Sequence, residues 1–111
     1  MQSVEREVVI RRPVGEVWAV VADPVRLGVW LGGELEIVAL RPGAGGEFRS
    51  DADTRRLVVT SVDPPAALSF VWWSDGDVAT ATTVTVELAA LDGTTNVRVR
   101  ETRRAQQRAT A

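Results

Sequence analysis

Apolar and polar positions along this chain follow two different periods, and the change of period divides it. Val4 to Ile10 reads as an opening strand, with Val4 apart from the apolar end at Val8–Ile10. Arg11-Arg12-Pro13 ends it, and proline suits a position just before or within a first helical turn, where its missing N–H is not needed. Around Gly15 to Ala22, the residues Val14, Val17, Trp18 and Val21 recur at i, i+3, i+4 and i+7, the stripe of an amphipathic helix. Asp23-Pro24 interrupts that stripe, because α geometry is disfavoured before a proline. A second short helix is predicted from Pro24 to Trp30, with Leu27 and Trp30 on its inner side and Gly32-Gly33 closing it.

Beyond Gly33 the period falls to two. Glu34 to Leu40 begins by alternating cleanly, with Leu35 and Ile37 opposite Glu34 and Glu36. Arg41 to Gly46 is a tight connection, Glu47 to Ser50 a short strand, Asp51 to Thr54 a hairpin loop, and Arg55 to Val62 the returning strand. After Asp63-Pro-Pro65 comes the most strand-like stretch, Ala67-Leu-Ser-Phe-Val-Trp-Trp73, with aromatic and β-branched residues bounded by turn formers. Leu68, Phe70 and Trp72 share one face and Ser69, Val71 and Trp73 the other. This is expected to be a central strand, with Phe70 and Trp72 on the inner wall and Trp73 on the convex side. Ala79 to Ala89 and Thr95 to Thr102 supply two more strands, separated by the strong turn Asp92-Gly93. Seven strands with a helix pair after the first make an α+β domain.

Composition narrows the chemistry. The 111 residues suffice for one domain, 45% are hydrophobic, and the net charge is −2. That balance gives no general electrostatic reason to bind nucleic acid or an anionic membrane. No apolar run is long enough to span a bilayer, and the charged start (Glu5, Arg6, Glu7) is unlike a signal peptide, so a cytoplasmic location is expected. Cysteine, histidine and tyrosine do not occur. This excludes disulfides, thiolate or imidazole metal sites, and histidine-based triads, and no cofactor is indicated. Gly43, Gly45 and Gly46 are not a phosphate loop, since they join two strands without a following helix. The aspartates at 51, 53, 75 and 77 are turn residues without calcium-loop spacing.

The order of elements and several short motifs resemble the Activator of Hsp90 ATPase homologue 1-like family of the START-like (SRPBCC, or Bet v 1-like) superfamily. The resemblance runs from about Val4 to Thr102. It is carried by Arg12-Pro13, Val17-Trp18, Asp23-Pro24 and Trp30 in the helix pair, and by Pro42-Gly43, Gly46 and Phe48 in the following hairpin. Val62-Asp-Pro-Pro65, Leu68 to Trp72, Thr83-Val-Thr-Val86 and Gly93-Thr94-Thr95 with Val97 complete it. The resemblance implies a helix-grip: a curved seven-stranded antiparallel sheet around a long C-terminal helix, with an apolar cavity between them. The tail from Arg103 to Ala111 is helix-tolerant but has no apolar stripe, so that helix is missing from this chain. The expectation is a single START-like domain over residues 1–111 that lacks its C-terminal helix. Either residues beyond Ala111 or a second copy would then cover the concave face.

The resemblance also implies a binding function, with a small hydrophobic molecule held between sheet and helices. The candidate ligand-binding set is Trp18, Trp30, Phe48, Leu68, Phe70, Trp72, Val84, Val86, Val99 and Glu101. For Trp18 and Trp30 the competing role is to anchor the helix pair to the sheet, the usual fate of an amphipathic stripe. Phe70 and Trp72 stand between cavity wall and core. Glu101 alternates with Val97 and Val99, where a carboxylate could orient a polar ligand group or act as an acid or base. The favoured alternative puts Glu101 at the strand's rim, paired with an arginine. Arg55-Arg56 and the arginines from Arg98 to Arg108 read as a solvated basic face or a helix lead-in. The resemblance implies an Hsp90 homologue as a macromolecular partner, and the uncovered concave face a homodimer. A polyketide cyclase or aromatase activity, known in the superfamily, is disfavoured by the residue types absent here.

Overall fold

The computed structural model describes residues 3–103. Its elements are β1 (Ser3–Ile10), α1 (Val14–Val21), α2 (Pro24–Leu31), β2 (Glu34–Glu36), β3 (Gly45–Arg49), β4 (Thr54–Asp63), β5 (Ala67–Ser74), β6 (Asp77–Leu91) and β7 (Thr94–Arg103). The strands form one antiparallel sheet in the order β1-β7-β6-β5-β4-β3-β2, so β5 lies at its middle. Leu68, Phe70 and Trp72 are buried, as their alternation predicts, while Trp73 is half-buried on the opposite face beside Arg56. The inward rows cross the sheet in register: Val59 lies opposite Phe70, Phe70 opposite Val84, and Val84 opposite Glu101. Register shifts at Thr60 of β4, and over residues 78–81 of β6 between the pairs Ser74–Asp77 and Trp72–Thr82, bend β4 and β6. They help curl the sheet around the helix pair.

The helix boundaries follow local chemistry. Pro13 is the N-cap of α1, and Asp23 caps α2, its Oδ1 accepting the Val25 N–H at 3.1 Å with Pro24 next in line. Gly32 ends α2 in the left-handed conformation (φ 98°), which glycine adopts without a Cβ penalty. Val17, Val21 and Leu27 bury the inner faces of the helices against the sheet. Thr95 Oγ1, in a fully buried side chain, donates to the Arg12 carbonyl at 2.8 Å and ties β7 to the β1–α1 turn.

The strand expected over Glu34–Leu40 stops at Glu36. Ile37 leaves the ladder to sit over Gly46, where a Cβ would meet the Ile37 Cβ at 2.8 Å, and Val38 is 96% exposed. Opposite this departure β3 offers only Gly45 and Gly46, which present no side chain for cross-strand packing. The tail expected to lead into a further helix lies, from residue 104 onward, outside the described residues.

Candidate functional site

The helix pair covers only part of the inner face. α2 packs against β2, and α1 against β6 and β7. Between α2 and the β1–β7 side runs an open groove of about 510 Å³, walled by Val4, Arg6, Glu7 and Val8 of β1, Val97, Val99 and Glu101 of β7, Trp30 and Leu31 of α2, and Trp72. It adjoins a smaller recess of about 240 Å³ between α1 and the sheet edge, which shares Trp30 and Val97 as walls. Val4, Val8 and Trp30 are each about half-exposed (55%, 47% and 43%), so one side of the groove is open to water.

The register brings β1 into this wall. Val4 pairs with Glu101, Arg6 with Val99, and Val8 with Val97, so alternate β1 residues turn inward. Their neighbours turn outward into an ion ladder, with Arg98 reaching Glu5 at 3.4 Å and Glu7 at 2.9 Å, and Arg100 reaching Glu5 at 3.6 Å and Glu87 at 3.5 Å. The Arg98 bond holds the Glu7 carboxyl below its usual pKa and raises that of the Arg98 guanidinium.

The polar end of the groove is built on Trp72. Its indole ring packs against Phe48 (centroids 5.4 Å apart) and edge-on against Phe70 (5.3 Å). Trp72 Nε1–H donates to Glu101 Oε2 at 2.9 Å, a bond that crosses over β6 to join β5 to β7. Thr82 Oγ1–H, from β6 itself, donates to the same oxygen at 2.6 Å. Arg55 lies over the Trp72 ring, 4.4 Å from its centroid, and its Nε faces Asp53 Oδ2 at 3.5 Å. The Asp53 carboxyl is held below its usual pKa, chiefly by the Ser74 hydroxyl that donates to Oδ2 at 2.7 Å.

Two expectations are corrected here. Glu101 does not pair with an arginine at the rim: it faces inward, and its described partners are Trp72 and Thr82. Arg55 is not part of a solvated basic face, because the β4 parity that buries Leu57 carries it onto Trp72. Of the candidate residues, the structure gathers Trp30, Trp72, Val99 and Glu101 along the groove. Phe48, Leu68, Phe70, Val84 and Val86 lie in the packed core, each with at most 4% exposure. Trp18 is half-buried against that core, the anchoring role, and belongs to neither recess wall. Sequence reasoning missed Val4, Arg6, Glu7, Val8, Leu31 and Val97 on the groove wall, and Thr82 beside Glu101. Alternation along Val4-Glu-Arg-Glu-Val8 carried the signal for the two valines. Among the described residues no group of three acidic side chains is placed to hold a metal ion. No described helix is long and apolar enough to cross a membrane.

Seven antiparallel strands bent over a helix pair inserted after the first define the Bet v 1-like, or SRPBCC, class of fold. Within that class, the family model for Activator of Hsp90 ATPase homolog 1-like protein matches residues 11–111, and the chain belongs to that family. No curated protein matches it significantly. Among solved structures it is similar to DynU16, from the dynemicin biosynthetic locus, at 27% identity and a TM-score of 0.81 over 96% of this chain. CalU16 of Micromonospora echinospora is 21% identical, with a TM-score of 0.74 over 96% of this chain. The Aha1 dimer of Colwellia psychrerythraea is 15% identical, with a TM-score of 0.77 over 99% of this chain and 84% of that one. The chain spans 39% of the DynU16 chain and 63% of the CalU16 chain.

Proposed function

We propose that this domain is a non-catalytic binding module that holds a small hydrophobic molecule in the groove between the curved sheet and α2. The observation that carries the reading is the groove itself: about 510 Å³, walled largely by valines, Leu31 and two indoles, and closed at one end by hydrogen-bonding groups. Small-molecule sites commonly occupy roughly 300–1,000 Å³, with apolar walls and a few placed polar groups. A calorimetric screen of the full chain against apolar ring compounds and acyl chains tests it. Micromolar binding that is lost in Val8→Arg, a groove-wall change on an edge strand, is expected. Silence across the whole panel would remove the reading.

The half-exposed Val4, Val8 and Trp30 also favour a second reading, in which another copy of the chain covers the open side. The Colwellia Aha1 structure is that of a dimer. A solution mass of one chain at high micromolar concentration would dismiss this alternative. An Hsp90 homologue as partner rests on the family description alone, and a pull-down with the host's own Hsp90 is its test. A cyclase-like activity has the least support, since the ionisable groups lining the groove are Glu101, Glu7 and Arg6, with no histidine, cysteine or tyrosine in the sequence.

A further inference from the structure

At the polar end of the groove both protein donors fall on one oxygen. Trp72 Nε1–H and Thr82 Oγ1–H bond Glu101 Oε2, at 2.9 and 2.6 Å. A carboxylate offers about four lone-pair sites over its two oxygens. Glu101 Oε1 therefore keeps accepting capacity, with no protein donor among the described residues, on a side chain that walls the groove. The cations nearby are otherwise placed. Arg55 is stacked on Trp72 and turned to Asp53. Arg6, two pairs along the β1–β7 ladder, and Arg103, two residues on along β7, make no ion pair with Glu101 within 4.0 Å. Two donors from different strands already fix the carboxylate, so a ligand would not bear the cost of ordering it.

Resting on the reading of the groove as a small-molecule site, we propose that its ligand is an apolar ring system bearing a hydrogen-bond donor at one end. The donor is a hydroxyl or an amine, and it is received by Glu101 Oε1. The apolar body lies along Val4, Val8, Val97, Val99 and Leu31, while a ligand ending in a carboxylate meets like charge at Glu101. Glu101 is in this sense the residue that sets specificity.

The test uses the full chain and probes sharing one ring: 2-naphthol, its methyl ether 2-methoxynaphthalene, and 2-naphthoate. Affinities are read by calorimetry, and the Trp72 indole N–H resonance is followed by NMR. Naphthol is expected to bind about tenfold or more tighter than the ether, as a donor facing an ionised acceptor should. It should also shift the Trp72 indole signal further than the ether does. In Glu101→Gln that preference is expected to fall to about threefold or less, since a neutral acceptor gives a weaker bond. Thr82→Val, which leaves the carboxylate in place, should keep it. Equal affinity of naphthol and ether for the unmodified chain would overturn the inference and leave the groove reading intact. Tightest binding by naphthoate would also overturn it, by making Arg6 the group that reads the ligand's head. Binding by none of the three would overturn both. Because the naphthol–ether comparison is made first on the unmodified chain, the outcome does not depend on either variant folding.

Discussion

Replacing Trp72 by phenylalanine separates the two roles of this side chain. The phenyl ring keeps much of the packing against Phe48 and Phe70 and part of the stacking under Arg55. It removes Nε1–H, and with it the bond to Glu101 across β6. A hydrogen bond to a charged partner contributes about 1.5–3 kcal/mol when hidden from water. The groove admits water beside Glu101, so about 1 kcal/mol is the appropriate share. Trp72 is only 7% exposed, so the smaller ring also leaves a void worth roughly another 1 kcal/mol. Trp72→Phe is therefore expected to cost about 2 kcal/mol, against roughly 3–5 kcal/mol for Trp72→Ala. In a domain of this size the first change lowers Tm by about 8 °C. Urea unfolding followed by far-UV circular dichroism measures both without relying on the tryptophan signal. The decisive experiment is the double-mutant cycle with Glu101→Leu. If the bond exists, the double variant should be less destabilised than the sum of the singles by about 1 kcal/mol. Additivity within about 0.3 kcal/mol, the behaviour of independent sites, would refute it.

Gly33→Ala should destabilise by about 1–3 kcal/mol, since the new Cβ would run into the Arg49 carbonyl oxygen, a backbone atom held in β3. Gly15→Ala, in α1 with nothing within 4 Å of its Cβ, should instead stabilise by up to about 1 kcal/mol. Thermal melts of the two should move in opposite directions, and a shared direction would contradict this account of the helix–sheet approach. The Asp53 carboxyl titrates below its unfolded value, chiefly because of Ser74. Its contribution to stability is therefore complete above an unfolded pKa of about 3.9 and disappears as pH falls through the lower folded value. Ser74→Ala should raise the Asp53 midpoint in an NMR carboxyl titration, and an unmoved midpoint would count against the bond.

Local chemistry carried most of the architecture. Pro13, Asp23-Pro24 and Gly32 mark the helix ends because each acts on its own backbone or the next turn. Asp92-Gly93, both at positive φ (47° and 80°), forms the β6–β7 turn for the same kind of reason. The β5 alternation gave the inner face because side-chain parity is a property of one strand alone. What escaped depends on pairs of strands. Parity alone turns Glu101 inward, but its partners follow from the registers Trp72–Thr82 and Val84–Glu101, which no single segment encodes. The early end of β2 likewise depends on the glycines of β3 opposite. Arg6 shows a different limit, since a charge in an inward row reads as outward until β7 is seen to leave a groove beneath it.

The sheet is open rather than closed, and this bears on how the chain behaves in a crowded solution. β2, at one border, is three residues long and shielded by α2, whereas β1, at the other, runs for eight with no described strand beyond it. Unpaired backbone along such a border is a template on which further chains can add, and interspersed charges are a common deterrent. Glu5, Arg6 and Glu7 provide that deterrent between Val4 and the exposed Val8 and Val9. Neutralising the three together would leave an apolar ribbon, and fibre growth, rather than loss of fold, is the failure to look for.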